Sequence, residues 1–505
     1  MPEPSLSLRS EAATADINQH PVQIREIDID QAHDTFGHLP VELISHIFTI
    51  YAENFRVHSS FNRVRFPPEP GPLLLGAVSK LWREVAFGMP QLWNTINIQI
   101  RLLPSALKTN TKIVELVQQW LDRSGQLLLY ISVKVKAVGT KHLWEPIFSL
   151  IRNCAPRWHT LVLGATSEMY AAFLNGLTCA PNLHTLNLIN LADLLSEEDS
   201  SDHDDPFHLQ TPSLKYLDVF DLRISSLAVH WGNITHFESD GVSVDEFFEV
   251  LRLAGRMASC TLLYLTDGWD LYPVPSTPLI HSALKQLHLG ANDGRLDGFP
   301  ELDLLVFPSL EKLGYEYHRK YSFPLHRLIS LVNQSCCQLT HFELRSGELS
   351  EDDVDDLISL FSALPTLTHL KLEDLADLTF GSVLGGTMTD KLLLKLTPIE
   401  GVQAELLPCL QSLEFRGIQK FSWNCLADFI IARLLEDSTG SNSPVADIDR
   451  NVSVLQRNRN SIRFVSFIVR KCEPIIDLDT RARFNHARDI GVSVEIVDGF
   501  SNKLL

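Results

Sequence analysis

Along the middle of this chain, apolar residues return in one phrase: apolar, two variable, apolar, one variable, apolar, often opened by Pro. The phrase is clear at Leu183, Leu186 and Leu188, at Leu214, Leu217 and Val219, and at Leu284, Leu287 and Leu289. It continues at Leu310, Leu313 and Tyr315, at Leu339, Phe342 and Leu344, at Leu367, Leu370 and Leu372, and at Leu410, Leu413 and Phe415. Weaker copies fit Trp158, Leu161 and Leu163, Ile234 and Phe237, and Leu262 and Leu265. The last two positions lie two apart, so they point to one face of a short strand, and the first covers the turn that enters it. Where two clear copies follow one another directly they start 26–31 residues apart, with a longer gap of 43 between Leu367 and Leu410. That spacing is close to the roughly 20–29 residues of leucine-rich repeats, with some units longer.

Helices are expected between the strands. Ser243 followed by Asp245 and Glu246 reads as a capping box, with Phe247, Val250, Leu251 and Ala254 on one face behind it. Ser350 opens a second such helix: acidic residues fill its first turn, where they complement the helix dipole, and Val354, Leu357, Ile358, Phe361 and Leu364 follow. His236-Phe237-Glu238 and His341-Phe342-Glu343 open two strands alike, which points to surface packing of the histidines rather than catalysis. One unit cannot bury its own apolar face, whereas a stack of them can. The expected class is α/β: a small N-terminal helical module, then a right-handed leucine-rich-repeat-like solenoid with parallel strands inside and helices outside.

The helical module occupies residues 37–100. One helix is predicted over 38–48, with Pro40 in its first turn, where a missing amide costs nothing. Leu43 with Ile47 and Ile44 with Phe48 are pairs four apart, giving a broad apolar stripe. A second helix over 73–87 places Leu74, Val78, Leu81, Trp82 and Val85 at the same period, and Pro90, Leu92 and Trp93 then turn the chain sharply. About fifty residues of this kind cannot hide so much apolar surface alone. Either the module docks on its own repeat domain, or part of the stripe receives a partner helix.

Four zones follow: a polar tail over 1–36, expected to be disordered; the module; the repeat domain over 101–437; and residues 445–505, holding a helix and strands at 463–469 and 492–497, as its end or cap. The acidic run 196–205 reads as a solvated loop between two units, or as a loop that is phosphorylated or binds a basic partner.

Composition narrows the function. The chain has 505 residues and a formal net charge of -19, with no basic patch, so neither nucleic acid nor a membrane surface is an expected partner. It shows no secretory signal and no apolar run long enough to span a membrane. Eight scattered cysteines lack Cys-x-x-Cys spacing and are expected as buried, reduced thiols, which places the protein in the cytoplasm or nucleus. There is no phosphate-binding Gly-rich loop with its lysine, no Gly-x-Ser-x-Gly elbow and no His-Glu-x-x-His helix. No catalytic residue, cofactor site or metal site is therefore predicted, and the protein is expected not to be an enzyme.

The module's residues carry a resemblance. Leu39-Pro40-x-Glu42-Leu43 with Ile47-Phe48, then Val78-Ser79-Lys80-Leu81-Trp82-Arg83, then Pro90-x-Leu92-Trp93, resemble the F-box motif. It departs from that motif over residues 52–71, where Pro67-Pro68-Glu69-Pro70 stands in place of a short loop and helix. The segments Trp120-Leu121-Asp122-Arg123-Ser124-Gly125 and Ile151-Arg152-Asn153-Cys154-Ala155-Pro156-Arg157-Trp158 are similar to those of a fungal, chiefly mushroom-type, subfamily of F-box proteins. The resemblance implies a substrate receptor of an SCF ubiquitin ligase, which binds a Skp-family adaptor, and through it a cullin, and presents an unidentified protein substrate. It implies that Leu39, Pro40, Leu43, Ile47, Val78, Leu81 and Trp82 serve adaptor contact or the module's core, and that Pro90, Leu92 and Trp93 form the closing segment of the same adaptor-binding module. The alternative is a leucine-repeat scaffold that binds a protein without recruiting a ligase.

Overall fold

The computed structural model describes residues 39–53, 71–101, 110–136, 141–174, 177, 179–191, 207–266, 271–291, 300–317, 325–346, 351–374, 387–398, 406–439, 462–470 and 476–498. The N-terminal tail, the acidic run 196–205, Ser350, most of the stretch 52–71 and the Ser/Asn/Gly segment 440–444 lie outside them.

Among the described residues, fourteen strands form one sheet, and all neighbours in it are parallel and follow one another in chain order. They are β1 (Thr95–Arg101), β2 (Leu129–Lys136), β3 (Trp158–Ala165), β4 (Thr185–Asn190), β5 (Tyr216–Phe220), β6 (His236–Ser243) and β7 (Ser259–Thr266). There follow β8 (Gln286–Ala291), β9 (Lys312–Tyr317), β10 (His341–Ser346), β11 (His369–Asp374), β12 (Ser412–Ile418), β13 (Phe464–Arg470) and β14 (Ser493–Asp498). The protein is thus a mixed α/β chain built on one long parallel sheet. The sheet begins at Thr95, inside the span assigned to the module, and residues 464–498 supply its last two strands.

The repeated phrase explains the order. Its second position forms an unbroken row across the sheet, from Ile96 through Ile131, Leu161, Leu186, Leu217, Phe237, Cys260, Leu287, Leu313, Phe342, Leu370, Leu413 and Val465 to Val494. All of these are buried in one continuous core with the apolar helix faces. A one-residue slip anywhere would turn a whole strand inside out, so this row fixes the register. The copy read at Leu262 and Leu265 is corrected: Met257, Cys260 and Leu262 take its three positions, since Cys260 pairs with Phe237 and Leu287. Met and Cys pack as ordinary apolar residues there, which a leucine pattern does not reveal.

Helices α4 (Asn110–Arg123), α5 (Lys141–Arg152), α6 (Ser167–Leu174), α7 (Val244–Leu253), α8 (Leu325–Ser335), α9 (Glu351–Ser362), α10 (Asp390–Leu396), α11 (Trp423–Thr439) and α12 (Leu478–Asp489) lie between strands. The capping box forms as expected: the Ser243 backbone N–H donates to Glu246 Oε2 at 3.2 Å, and Phe247, Val250, Leu251 and Ala254 are buried. Not every return is helical. Among the described residues, the paths from β4 to β6 and from β7 to β9 carry 3-10 turns and two-residue parallel strand pairs, Phe207–His208 with Leu227–Ala228 and Leu279–Ile280 with Leu305–Val306.

The Trp120–Gly125 and Ile151–Trp158 segments meet. Arg157 donates to Ser124 Oγ at 2.6 Å and to the Leu127 carbonyl at 3.0 Å, so one unit's turn is fastened to the next. The seven described cysteines form no disulfide. Only Cys260 is fully buried and Cys336 is exposed, which corrects the expectation of uniformly buried thiols.

Candidate functional site

The helical module is built around α1 (Val41–Glu53), α2 (Gly71–Val78) and α3 (Lys80–Phe87). The Pro40 carbonyl accepts from the N–H groups of Leu43 and Ile44, at 3.0 and 3.1 Å, and opens α1. The single helix expected over 73–87 is two, because Ser79 adopts an extended conformation and its Oγ caps α3 by accepting from Trp82 N–H at 3.1 Å. A serine that bonds to the backbone in this way favours a helix start over a helix interior.

One stripe of α1 is inside. Ile44 and Phe48 are fully buried with Leu75, Val85, Ala86, Leu92 and Trp93, and Phe48 meets Trp82 edge-on at 5.0 Å. The adjoining stripe is outside: Leu43 is 50% exposed, Ile47 44% and Ile50 53%. Val41, Leu73, Leu74 and Phe87 are exposed too, and Val78, at the end of α2, is 62% exposed. Isolated apolar residues on a surface need no explanation, but Leu43, Ile47 and Ile50, at i, i+4 and i+7, share one exposed face of α1.

Of the residues the F-box resemblance singles out, Pro40, Leu43, Ile47 and Val78 are exposed, and Leu39, Leu81, Trp82 and Pro90 are half-buried. Leu92 and Trp93 lie elsewhere than expected. Both are buried, because Trp93 is the first position of the β1 unit, three residues before Ile96, and it turns inward with its Nε1 donating to the Ala86 carbonyl at 2.8 Å. They hold the module together and offer no surface to a partner. Ile50 was missed, although it stands seven residues after Leu43 and so shares its helix face.

The second surface is the sheet face turned away from the core. Its first row carries a run of neighbouring rings: His159 stacks on His184 at 5.1 Å and Tyr216 on His236 at 4.2 Å, while Tyr130 meets His159 at 4.9 Å and His184 meets Tyr216 at 5.1 Å at a tilt. His341 and His369 stack at 4.1 Å farther along. A neighbouring threonine hydroxyl lies 2.8–2.9 Å from Nδ1 of His236, His341 and His369. Burial lowers all five histidine pKa values, and the next charge in the stack lowers them further at His159, His236 and His341. The recurrence of His236 and His341 therefore reflects surface packing, as expected.

Beyond the rings lie charges. Arg345 bonds Glu343 at 2.9 Å and Glu316 at 3.3 Å, and Lys371 bonds Glu343 at 2.7 Å, across three strands. A groove of about 280 Å³ opens on this face, flanked by Lys312, His341, Glu343, His369, Lys371 and Glu414. Its floor is Gly314, where a Cβ would collide with the His288 ring. Among the described residues, no group of three or more His, Cys, Asp or Glu is placed to hold a metal ion, and no helix is long and apolar enough to cross a membrane. No protein-family model matches the chain, and no curated protein matches it.

Proposed function

We propose that this chain is a non-catalytic adaptor of the F-box kind. In this reading, the exposed stripe of α1 with the end of α2 docks a Skp-family adaptor and through it a cullin. The long sheet with its helices is a leucine-rich-repeat solenoid that holds a protein substrate for ubiquitin transfer. The chain acts by proximity, raising the effective concentration of its cargo at the transfer machinery.

One observation carries the reading: Leu43, Ile47, Ile50 and Val78 stay exposed while their neighbours Ile44 and Phe48 are fully buried. The module has a complete core and still leaves an apolar helix face uncovered by its own sheet. Such a face fits an amphipathic partner helix. The repeat reading is supported by the consecutive parallel strands and the unbroken apolar row, both of which a stack of like units produces.

The test is affinity capture of the tagged full chain from cells with the proteasome blocked. The expected result is co-purification of a Skp-family adaptor and a cullin, abolished by Leu43→Asp with Ile47→Asp in a protein whose circular dichroism is unchanged. Absence of the adaptor from the wild-type capture, or its retention by the double variant, overturns the reading and leaves a repeat scaffold without ligase recruitment.

A further inference from the structure

Between β7 and β8, residues 271–280 form a surface strap with prolines at 273, 275 and 278. Both of its ends are held. At the start, Asp245 in the first turn of α7 accepts from the N–H groups of Leu271 and Tyr272, at 2.8 and 3.1 Å, and Arg252 donates to the Pro273 carbonyl at 2.7 Å. At the end, Leu279–Ile280 pairs with Leu305–Val306, and the buried His281 ring meets the Ala254 carbonyl at 3.1 Å. Between these anchors Val274, Ser276, Thr277 and Pro278 are exposed. Among the described residues, no backbone–backbone hydrogen bond ties down residues 274–278.

The prolines set the backbone of the strap. Each fixes its own φ and turns the residue before it away from the helical region, so Tyr272, Val274 and Thr277 are all biased towards an extended chain. Thr277 therefore has Pro275 two residues before it and Pro278 directly after it.

Thr-Pro occurs three times among the described residues, and the fold presents it once. Thr211 is fully buried. Thr397 is half-buried, its hydroxyl donates to the Leu393 carbonyl at 2.7 Å, and Pro398 is buried. Thr277 and Pro278 are both exposed, and the Thr277 hydroxyl has no hydrogen-bond partner among the described residues. Ser276 is exposed as well, but threonine follows it rather than proline.

We propose that Thr277 is a phosphorylation site, the acceptor for a protein kinase whose cleft takes proline directly after the acceptor. The requirement is physical. Proline has no N–H, so a cleft without an acceptor at that position admits it freely, whereas any other residue would bring an unpaired donor. Prolines on both sides of Thr277 also restrict the chain beforehand, so less entropy is lost on entering the cleft. In the step, Thr277 Oγ attacks the γ-phosphorus of Mg-ATP. The new Oγ–P bond forms as the bond from that phosphorus to the departing oxygen of ADP breaks, and the hydroxyl proton passes to the kinase's catalytic carboxylate. Residues 271–280 contain no charged side chain, and Leu271, Val274 and Ile280 are exposed there. Phosphorylation thus places a charge of about −1.5 to −2 on a neutral, partly apolar strap. The inference goes beyond the adaptor reading and depends on neither the α1 stripe nor the repeat assignment.

The experiment incubates the folded full chain with an activated mitogen-activated protein kinase and Mg-ATP, and maps phosphate by tandem mass spectrometry. A standard peptide substrate in a parallel tube reports that the kinase is active. Phosphate is expected on Thr277 and not on Ser276, Thr211 or Thr397. Pro278→Ala is expected to slow incorporation at residue 277 at least about tenfold, Thr277→Ala to abolish it and Thr277→Ser to keep it. An unmodified Thr277 beside a phosphorylated standard peptide overturns the proposal. So does an undiminished rate in Pro278→Ala or equal phosphorylation of Ser276, since proline would then not select the site. Equal phosphorylation of Thr211 or Thr397 overturns it too, since exposure would then select nothing.

Discussion

Trp93 and Trp120 meet edge to face with ring centroids 4.8 Å apart, and through this contact the core of the helical module joins the core of the sheet. Trp93 closes the module, while Trp120 on α4 packs against both cores and donates its Nε1–H to the Thr95 carbonyl at 3.1 Å. The Arg123 guanidinium lies over the rings of Phe87 and Trp93, at 4.4 and 4.7 Å. The module is therefore seated on the first unit of the sheet by aromatic packing at its base, and the α1 stripe is left open.

Trp93→Ala removes a fully buried side chain from this seat. It should cost about 3–5 kcal/mol, the range for large aromatic deletions in cores. Trp120→Ala, where the ring is half-buried, should cost less. Urea unfolding followed by circular dichroism checks both, and Trp93→Ala should also add an early transition as the module melts ahead of the sheet.

Adjacent residues on α1 should respond oppositely to the same substitution. Leu43→Asp places a carboxylate on an exposed position and should change stability by no more than about 0.5 kcal/mol. Ile44→Asp buries one beside Phe48 and Trp93 and should cost about 3 kcal/mol or more. Chemical denaturation of the two variants distinguishes them, and equal effects would mean that the stripe is not open.

Arg433 on α11 is almost wholly buried and donates to three carbonyls: Leu396 at 2.8 Å, Leu406 at 2.7 Å and Leu407 at 2.9 Å. Leu407 has a φ of 50°, a left-handed conformation unusual for leucine, and the guanidinium helps to hold that turn. Arg433→Leu leaves these acceptors buried without the donor, at about 1–3 kcal/mol each, so a loss of about 3 kcal/mol or more is expected. Arg433→Lys should recover only part of it, since an ammonium cannot span the same fork. Thermal unfolding of the pair measures the difference.

The histidine stacks should make stability fall in mild acid. His341 and His369 are held below the usual value of 6.5, first by burial, and for His341 next by the His369 charge. Lys312 adds to the lowering of both, while Glu311 opposes it at His341 and Glu414 at His369. Below about pH 6.5 the unfolded chain takes up protons that the folded rings refuse, so these residues stabilise the fold fully above that pH. Their contribution is lost as the pH falls from there towards the folded-state values. The urea midpoint measured between pH 7.5 and about 5.5 should drop more steeply in the wild type than in a His341→Gln, His369→Gln variant.

The sequence by itself determined the strand units, since a two-residue alternation after a leading leucine specifies which side chains face the core. It also determined the Ser243 cap and the apolar stripes of α1, because both depend on neighbours within one turn of helix. Tertiary structure alone decided which of the two α1 stripes is covered, since periodicity names a face and says nothing about what packs on it. The inward turn of Trp93, the place of Cys260 in the apolar row and the fork of Arg433 are decided there as well. Each joins residues about 20 to 40 positions apart or on different strands, and such contacts exist only once the sheet's register has brought distant segments together.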